Sequence, residues 1–498
     1  MVLVVASAGV ALLCLLPAAF VAVSVGAAGW TTVQRLVFRP RVGELLVNTG
    51  LLVVLTCVST GLLGTVAALL VQRWRVAGAR WWAPLLVAPL AIPAFVVAYG
   101  WVSVFPGIDG LAGATLIMTL AYFPFVFLPV SAALRGLDPA WEEQGRSLGL
   151  SPAAVLRRVV LPQLRPAIAG GMLLVGLHCL AEFGAFGMLR FATFTTAIYD
   201  QYASSFASSA ATMLAAVLVV CCLLLLAAET VVAGNRRRAR VGSGSARPST
   251  RPTLGWRQVP AQLFLFVLSA ASLAVPVASV ASWLVRGSDQ WPAAFAAAAD
   301  TLSLASAAAV VTVAAGVPAA YLAVRYRRPV TFLVERVTYL SGALPSIVVA
   351  LALVTVTVRF ARPVYQSLLT LLVAYLLLFL PRAMVGLRAG LLQVPVELED
   401  AARALGVGRS AVVPRLVLPL AAPGVLAAAA LVFIAVGTEL TATLLLAPTG
   451  TVTLATRFWA LAGQIDYVAA APYAAMMIVM SAPVTYLLIR QSRPDGGR

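Results

Sequence analysis

Residues 137–168 read LDPAWEEQGRSLGLSPAAVLRRVVLPQLRPAI, and residues 394–425 read VPVELEDAARALGVGRSAVVPRLVLPLAAPGV. Each stretch has acidic residues followed by a glycine and then a proline, and the two stretches are 257 positions apart. A constant offset over a long stretch indicates that one structural unit is used twice. We call residues 137–166 the first copy and residues 394–423 the second copy. The same offset relates Pro166 to Pro423 at the ends of the copies and, outside them, Pro124 to Pro381 and Glu182 to Glu439.

The composition is that of a chain that lies in a lipid bilayer. Hydrophobic residues make up 62% of the sequence and charged residues 10%, whereas charged residues are roughly a quarter of a soluble domain. All 35 basic residues are arginine, and the formal net charge is +18. We expect membrane lipid headgroups, and not nucleic acid, to be the partner of this positive charge.

Missing residue types exclude several kinds of site. Without lysine, the chain can form neither a standard P-loop nor a Schiff base. His178 is the only histidine, which excludes a zinc site built on two histidines. The five cysteines all lie in apolar runs, so we expect buried apolar side chains rather than disulfides or metal ligands.

The apolar stretches predict an all-α membrane protein with about 12 transmembrane helices in two repeated six-helix units. The first unit covers 1–233 and the second 259–490, joined by a flexible linker at 234–258 that is rich in Arg, Gly, Ser and Pro. Residues 491–498 form a tail. The predicted spans are 3–27, 44–72, 82–104, 111–134, 166–189, 207–233, 260–285, 299–324, 337–358, 366–388, 422–447 and 470–490.

The placement of arginine predicts the orientation of the spans. With both chain ends in the cytoplasm, 27 of the 35 arginines lie on the cytoplasmic side, as the positive-inside rule expects. A cluster in the first outer loop, Arg35, Arg39 and Arg41, is against this trend.

Each copy predicts two short helices separated by a glycine on the cytoplasmic side. In the first copy, Asp138 and Ser151 are suited to cap the two helices, each followed by a proline. Gly149 and Gly406 suit a left-handed helix stop. Pro162 and Pro419 are expected to end the second short helix and redirect the chain into the membrane. Acidic residues early in the first short helix are favoured by the helix dipole: Glu142, Glu143, Glu399 and Asp400.

Such a compact, exposed element is suited to dock into a groove of a partner. The alternative is a pair of amphipathic helices that only lie on lipid. Two equivalent copies favour docking, and they indicate a partner with two equivalent grooves, such as a symmetric dimer.

The two copies resemble the loop of binding-protein-dependent ABC importer permeases, in which Glu-Ala-Ala is followed at fixed spacing by Gly, Ile and Leu-Pro. The first copy has Glu143-Gln144-Gly145, Gly149, Val159 and Leu161-Pro162. The second has Asp400-Ala401-Ala402, Gly406, Leu416 and Leu418-Pro419. All spacings match, and the departures are Gln144, Gly145, Asp400, Val159 and Leu416.

The resemblance implies the type I ABC importer permease fold in the bacterial cytoplasmic membrane. In that family this loop is the coupling helix that docks into the ATPase subunit. The resemblance implies the same docking role for six residues of this chain: Glu142, Glu143, Gly149, Glu399, Asp400 and Gly406. It also implies a dimeric ABC ATPase partner that uses the ATP, a periplasmic or lipid-anchored solute-binding protein, and a chain that is no enzyme and binds no cofactor.

The segments 180–202 and 436–461, together with the fused halves, look like iron(III)-importer permeases. Related permeases carry thiamine, phosphonate or polyamine, and these remain alternative substrates. An ion-gradient-driven secondary transporter would also have internal repeats, but it does not explain two coupling-type loops. A membrane enzyme is disfavoured because no motif has nucleophile-and-base spacing.

Glu182 and Glu439 are predicted at equivalent positions within spans five and eleven. A carboxylate at membrane depth is costly, so each should face a cavity or a partner. One interpretation is a pair that lines the translocation pathway and attracts a cation such as Fe(III). The other is a capping role at the break of a bent helix. His178 lies one turn before Glu182 and is either a pathway residue or a hydrogen-bonded interior group. No firm metal site is predicted.

Four residues on the predicted outer side are candidates for contact with the binding protein or its cargo: Tyr199, Asp200, Tyr202 and Trp459. For the three aromatic residues, the alternative is an anchor at the membrane interface.

Overall fold

The computed structural model describes residues 2–203, 208–233, 253–326 and 329–492. Up to residue 233 the α-helices are α1 (Val2–Ala28), α2 (Trp30–Val37), α3 (Pro40–Arg73), α4 (Ala79–Val87), α5 (Ala94–Val102), α6 (Gly110–Tyr122), α7 (Pro124–Arg135), α8 (Pro139–Ser147), α9 (Pro152–Val155), α10 (Leu161–Ala181), α11 (Gly184–Met188), α12 (Phe194–Ala203) and α13 (Ser208–Ala233).

From residue 258 the α-helices are α14 (Gln258–Ser269), α15 (Val275–Val285), α16 (Trp291–Arg325), α17 (Pro329–Ser341), α18 (Ser346–Phe360), α19 (Leu368–Leu392), α20 (Val396–Ala404), α21 (Arg409–Val412), α22 (Leu418–Leu420), α23 (Ala422–Gly437), α24 (Thr441–Leu446), α25 (Leu454–Gly463) and α26 (Tyr467–Ser492). Turns of π-helix lie at Leu156–Val160, Ala270–Ala274 and Val413–Val417.

Several of these helices, some of them joined end to end, are apolar and long enough for a bilayer. Among the described residues, eight helices can cross a membrane by length and composition, and three further pairs of helices qualify as bent spans. One shorter apolar helix lies at Tyr467–Pro483. This confirms the predicted all-α, multi-span architecture.

Two predicted spans, 82–104 and 337–358, are bent and not straight. Ala79–Ala91 and Ala94–Val102 meet at 94°, and Thr331–Ser341 and Ser346–Phe360 meet at 101°. Pro93 and Pro345 stand at the breaks in extended conformation and begin the second helix of each pair. A proline disfavours helical geometry in the residue before it, which explains the break.

The predicted spans 166–189 and 422–447 extend too far. The α10 helix ends at Ala181 and α23 ends at Gly437, and each is followed by a separate short helix, α11 or α24. Hydropathy alone could not find these ends because the short helices that follow are equally apolar.

The expected effect of Pro162 is wrong. Pro162 is the second residue of α10, directly after the π-turn Leu156–Val160, and Pro152–Ala181 continues through that turn as one membrane-capable helix. In the second copy the chain does bend, by 75° between Val413–Leu420 and Ala422–Gly437, just after Pro419.

The structure divides into two compact units. Of the described residues, 40–196, 220–233, 253–286 and 485–492 form the N-half unit, and 2–39, 197–203, 208–219, 287–326 and 329–484 form the C-half unit. The first helix of each half is therefore in the unit formed mainly by the other half: α1 packs on α16, α17 and α18, and α15 packs on α5. The division at 233 and 259 describes the repeat in the sequence and stays a prediction.

Residues 234–252 of the predicted linker and 493–498 of the predicted tail lie outside the described residues. The chain is already structured at Thr253, which forms a parallel bridge with Arg75, and a 3-10 turn at Gly255–Arg257 leads directly into α14.

Each unit is built on three mutually packed helices: α3, α7 and α10 in the N-half unit, and α16, α19 and α23 in the C-half unit. Glycine permits the closest of these contacts. A Cβ on Gly390 of α19 would lie 2.8 Å from the Cα of Gly424 in α23, so only glycine fits there.

Candidate functional site

The first copy forms two short helices, α8 and α9, with the predicted local geometry. Asp138 caps α8 by accepting a hydrogen bond from Ala140 N at 3.0 Å, and Ser151 caps α9 by accepting from Ala154 N at 3.3 Å. Gly149 has φ of 80°, the predicted left-handed stop.

The second copy has the same shape with different caps. Helices α20 and α21 begin after Pro395 and Gly408, and neither residue caps its helix with a side-chain hydrogen bond. Gly406 has φ of 86° and again provides the left-handed stop. The second copy therefore depends less on local capping than the first.

The first acidic residue of each pair points back into the protein. Glu142 forms an ion pair with Arg73 at the end of α3 and a longer one, 3.6 Å, with Arg146. Glu399 is 1% exposed; its Oε1 accepts from Arg325 Nε at 2.7 Å, and its Oε2 accepts from Tyr321 Oη at 2.7 Å. Arg403 donates to the same carboxylate at 3.2 Å. These carboxylates fasten the short helices to α3 and α16.

The second acidic residue of each pair is exposed. Glu143 and Asp400 lie at the surface of α8 and α20, and Asp400 accepts from Arg403 Nη1 at 2.9 Å. Beside the glycines stand two exposed leucines, Leu148 and Leu405, the latter 86% exposed. Each copy thus presents a carboxylate and a leucine.

Sequence reasoning missed the partners Arg73, Arg325 and Tyr321, and it missed the leucines. The sequence contained a signal for the two arginines and for the two leucines. Arg73 and Arg325 are 252 positions apart, as are Pro93 and Pro345, so a second offset marks the early part of the repeat. Leu148 and Leu405 obey the 257-residue offset, and each directly precedes the glycine of its copy.

In the N-half unit, Glu182 lies at the junction of α10 and α11. Its Oε1 accepts from Ala185 N at 2.9 Å, and its Oε2 accepts from Tyr122 Oη at 3.3 Å. Thr195 donates its hydroxyl to the backbone oxygen of Glu182. The side chain is half-buried and caps α11, which is the geometry of the capping interpretation.

His178 belongs to the same cluster. Its Nδ1 lies 2.7 Å from Leu174 O, and its ring centre is 5.1 Å from that of Tyr122 and 4.6 Å from that of Phe125. Tyr122 therefore contacts both the imidazole of His178 and the carboxylate of Glu182.

In the C-half unit, Glu439 has the corresponding position between α23 and α24. Its Oε1 accepts from Ala442 N at 2.9 Å, and its Oε2 accepts from Thr443 N at 2.9 Å and from Thr443 Oγ1 at 2.8 Å. The same threonine hydroxyl lies 2.8 Å from Tyr375 Oη. Within the described residues, no group of three or more His, Cys, Asp or Glu side chains could bind a metal ion.

The outer candidates lie on two short helices. Tyr199, Asp200 and Tyr202 are on α12, and Trp459 is on α25. Burial raises the pKa of Tyr199 and of Tyr202, and a hydrogen bond with Tyr365 raises the pKa of Tyr202 further. Both phenols therefore stay protonated at neutral pH. The three aromatic side chains are half-buried, and Asp200 is exposed.

The arginines of the predicted first outer loop have local partners. Arg39 Nε donates to Arg35 O at 2.9 Å, and Arg41 forms an ion pair with Glu44 at 2.8 Å in the first turn of α3. Both pairs are exposed, and such pairs contribute little stability.

The duplicated geometry corresponds to one protein family. The model of that family, described as binding-protein-dependent transport system inner membrane component, matches residues 61–238 and again residues 312–491. The chain belongs to this family. The permease class that the duplicated motif predicts is thereby confirmed, and each match includes one copy.

Individual relatives agree with the family. The permease is 37% identical over 479 residues to the Fe(3+)-transport system permease protein FbpB 2 of Haemophilus influenzae, covering 95% of both chains. It is 28% identical over 192 residues to the sulfate transport system permease protein CysT of Salmonella typhimurium, covering 35% of this chain and 69% of that one. It is 31% identical over 135 residues to the putrescine transport system permease protein PotI of Escherichia coli, covering 25% and 48%.

Proposed function

We propose that this permease imports iron(III) across the bacterial cytoplasmic membrane. The observation that carries the proposal is the likeness to an Fe(3+)-transport permease over 95% of both chains at 37% identity. The likeness to the sulfate and putrescine permeases is confined to parts of the chain, which favours iron over those solutes.

In this proposal ATP is hydrolysed by a separate dimeric ABC ATPase, and the permease is neither an enzyme nor the carrier of a cofactor. The two copies dock into the two ATPase subunits through Glu143, Asp400 and the exposed leucines. What supports this assignment is that each copy presents an exposed leucine beside an exposed carboxylate on a pair of short helices. Such an arrangement suits docking of a helix into a groove of a partner.

The cargo arrives on a solute-binding protein that docks on the outer side, where α12 and α25 are exposed in part. The chain ends lie in the cytoplasm, as the arginine distribution favours. Glu182 and Glu439 contribute to the translocation pathway, since carboxylate oxygens suit a hard cation. Their capping contacts set the position of each carboxylate.

Uptake of radiolabelled iron(III) tests the cargo. The host is a strain that lacks this gene and has been shown to be iron-limited, with and without the gene restored. Restored uptake that requires the ATPase gene supports iron. If iron uptake stays flat while thiamine, a phosphonate or putrescine responds, the iron assignment is wrong and the importer class stands.

A further inference from the structure

The second copy is held by a buried cluster of charges. Glu399 is 1% exposed and Arg325 is 8% exposed, and the phenol of Tyr321 completes the cluster. A carboxylate this deeply buried is stable only while its donors stay in place. The position of α20 is therefore tied to the end of α16.

Arg325 holds the second copy at two points. Besides its bond to Glu399, it donates from Nη2 to Val394 O at 2.8 Å, just before α20 begins. One guanidinium thus fixes both the chain that enters α20 and the helix itself. Pro395, at the N-cap, has no side-chain acceptor for the free N–H groups of the helix.

The first copy is held more loosely. Glu142 is 24% exposed and Arg73 is 12% exposed, so water reaches this pair. Leu69 stands 252 positions before Tyr321, and leucine has no hydroxyl to donate. Helix α8 is instead capped locally by Asp138.

We call the contacts of Tyr321 and Arg325 with Glu399 and Val394 the clamp. Helix α16 connects the clamp with the far end of the C-half unit. Leu454 N, at the start of α25, donates to Thr301 Oγ1 in α16 at 2.9 Å. Thr301 and Arg325 lie on one continuous helix, about 36 Å apart at 1.5 Å per residue. A displacement of the second copy would therefore reach α25 through one continuous helix.

We propose that the second copy is a preset docking element, with Tyr321 and Arg325 as its positioning residues, and that the first copy is an adaptable one. The two ATPase contacts are then mechanically unequal, and the second transmits the larger part of the coupling. This inference rests on the proposed function, since it assumes that an ATPase docks on both copies.

The test uses the full permease with its ATPase and binding protein in proteoliposomes. The variants are Glu399→Gln, its repeat counterpart Glu142→Gln, and Tyr321→Phe, which removes only a hydroxyl and keeps the ring volume. Glu397→Gln serves as an exposed control on α20. The readouts are ATP hydrolysed per iron ion moved and the Kd of the solubilised permease for the ATPase.

We expect Glu399→Gln to raise the ATP cost per ion and the Kd about tenfold, and Glu142→Gln and Tyr321→Phe to raise them about threefold. If Glu399→Gln and Glu142→Gln change the Kd and the ATP hydrolysed per iron ion equally, the inference is wrong. It is also wrong if Tyr321→Phe leaves the ATP hydrolysed per iron ion unchanged. If the unaltered permease binds the ATPase but moves no iron, the iron(III) proposal is wrong, and the Kd values of the variants still test whether the two copies dock unequally. If it binds no ATPase, both proposals are wrong.

Discussion

Glu182 and Glu439 make the same hydrogen bond: in each, Oε1 accepts from the backbone N–H three residues ahead, at 2.9 Å. Both carboxylates therefore cap a short helix that follows a long one. The two sites differ beyond this bond. Tyr122 donates directly to Glu182, whereas Tyr375 is hydrogen-bonded to Thr443, which in turn donates to Glu439.

The cap at Glu439 predicts a stability difference. Glu439→Ala removes the acceptor of two backbone N–H groups, Ala442 N and Thr443 N, and should destabilise the permease by about 1–2 kcal/mol. Glu439→Gln keeps an oxygen for Ala442 N and should cost less. Thermal unfolding of the purified permease in detergent measures both. Equal losses in the two variants would contradict the capping account.

The two carboxylates together predict a transport defect. The double variant Glu182→Ala with Glu439→Ala should slow iron uptake while leaving the coupling of ATP hydrolysis intact, because the ATPase-docking copies are untouched. Initial uptake rates and ATP hydrolysis, measured in parallel, check this. Uptake equal to that of the unaltered permease would remove both residues from the pathway.

Gly406 and Gly408 are a matched pair for testing the docking shape. A Cβ on either glycine meets open space, but Gly406 has φ of 86° and Gly408 has φ of −60°. Gly406→Ala should therefore strain the second copy by about 1–2 kcal/mol and slow transport, whereas Gly408→Ala should not. Gly406→Pro should abolish transport without affecting membrane insertion. Equal transport by the two alanine variants would contradict this account.

Much of this geometry could be predicted from the sequence because it is local. The caps Asp138 and Ser151 and the left-handed glycines follow from residue type and spacing, and the structure confirms them. The clamp on Glu399 could not be predicted this way. Tyr321 and Arg325 are more than 70 positions away, and no helical period relates them to α20.

The ends of spans five and eleven show a second limit. Hydropathy continues past Glu182 and Glu439, so an apolar window includes the short helices that follow. A glutamate in an apolar run can be read as a buried charge or as a helix cap. The choice depends on which N–H groups lie nearby, and only the structure provides those.

The proposed orientation predicts opposite accessibility of two exposed positions in the C-half unit. Leu405 lies in the second copy, and Phe360 lies at the end of α18. In a cysteine-free background, Phe360→Cys should react with a membrane-impermeant maleimide added to spheroplasts. Leu405→Cys should react only in inverted vesicles. The reverse pattern would place the two copies outside and exclude docking of a cytoplasmic ATPase.

The most direct test of the central claim is ATP-driven iron(III) uptake into proteoliposomes that contain the permease, its ATPase and the binding protein. The account predicts uptake that requires ATP and the binding protein and that is lost in Asp400→Arg, because a reversed charge on the exposed face of α20 prevents docking. Uptake that proceeds without ATP, or that Asp400→Arg leaves at its full rate, would contradict the account.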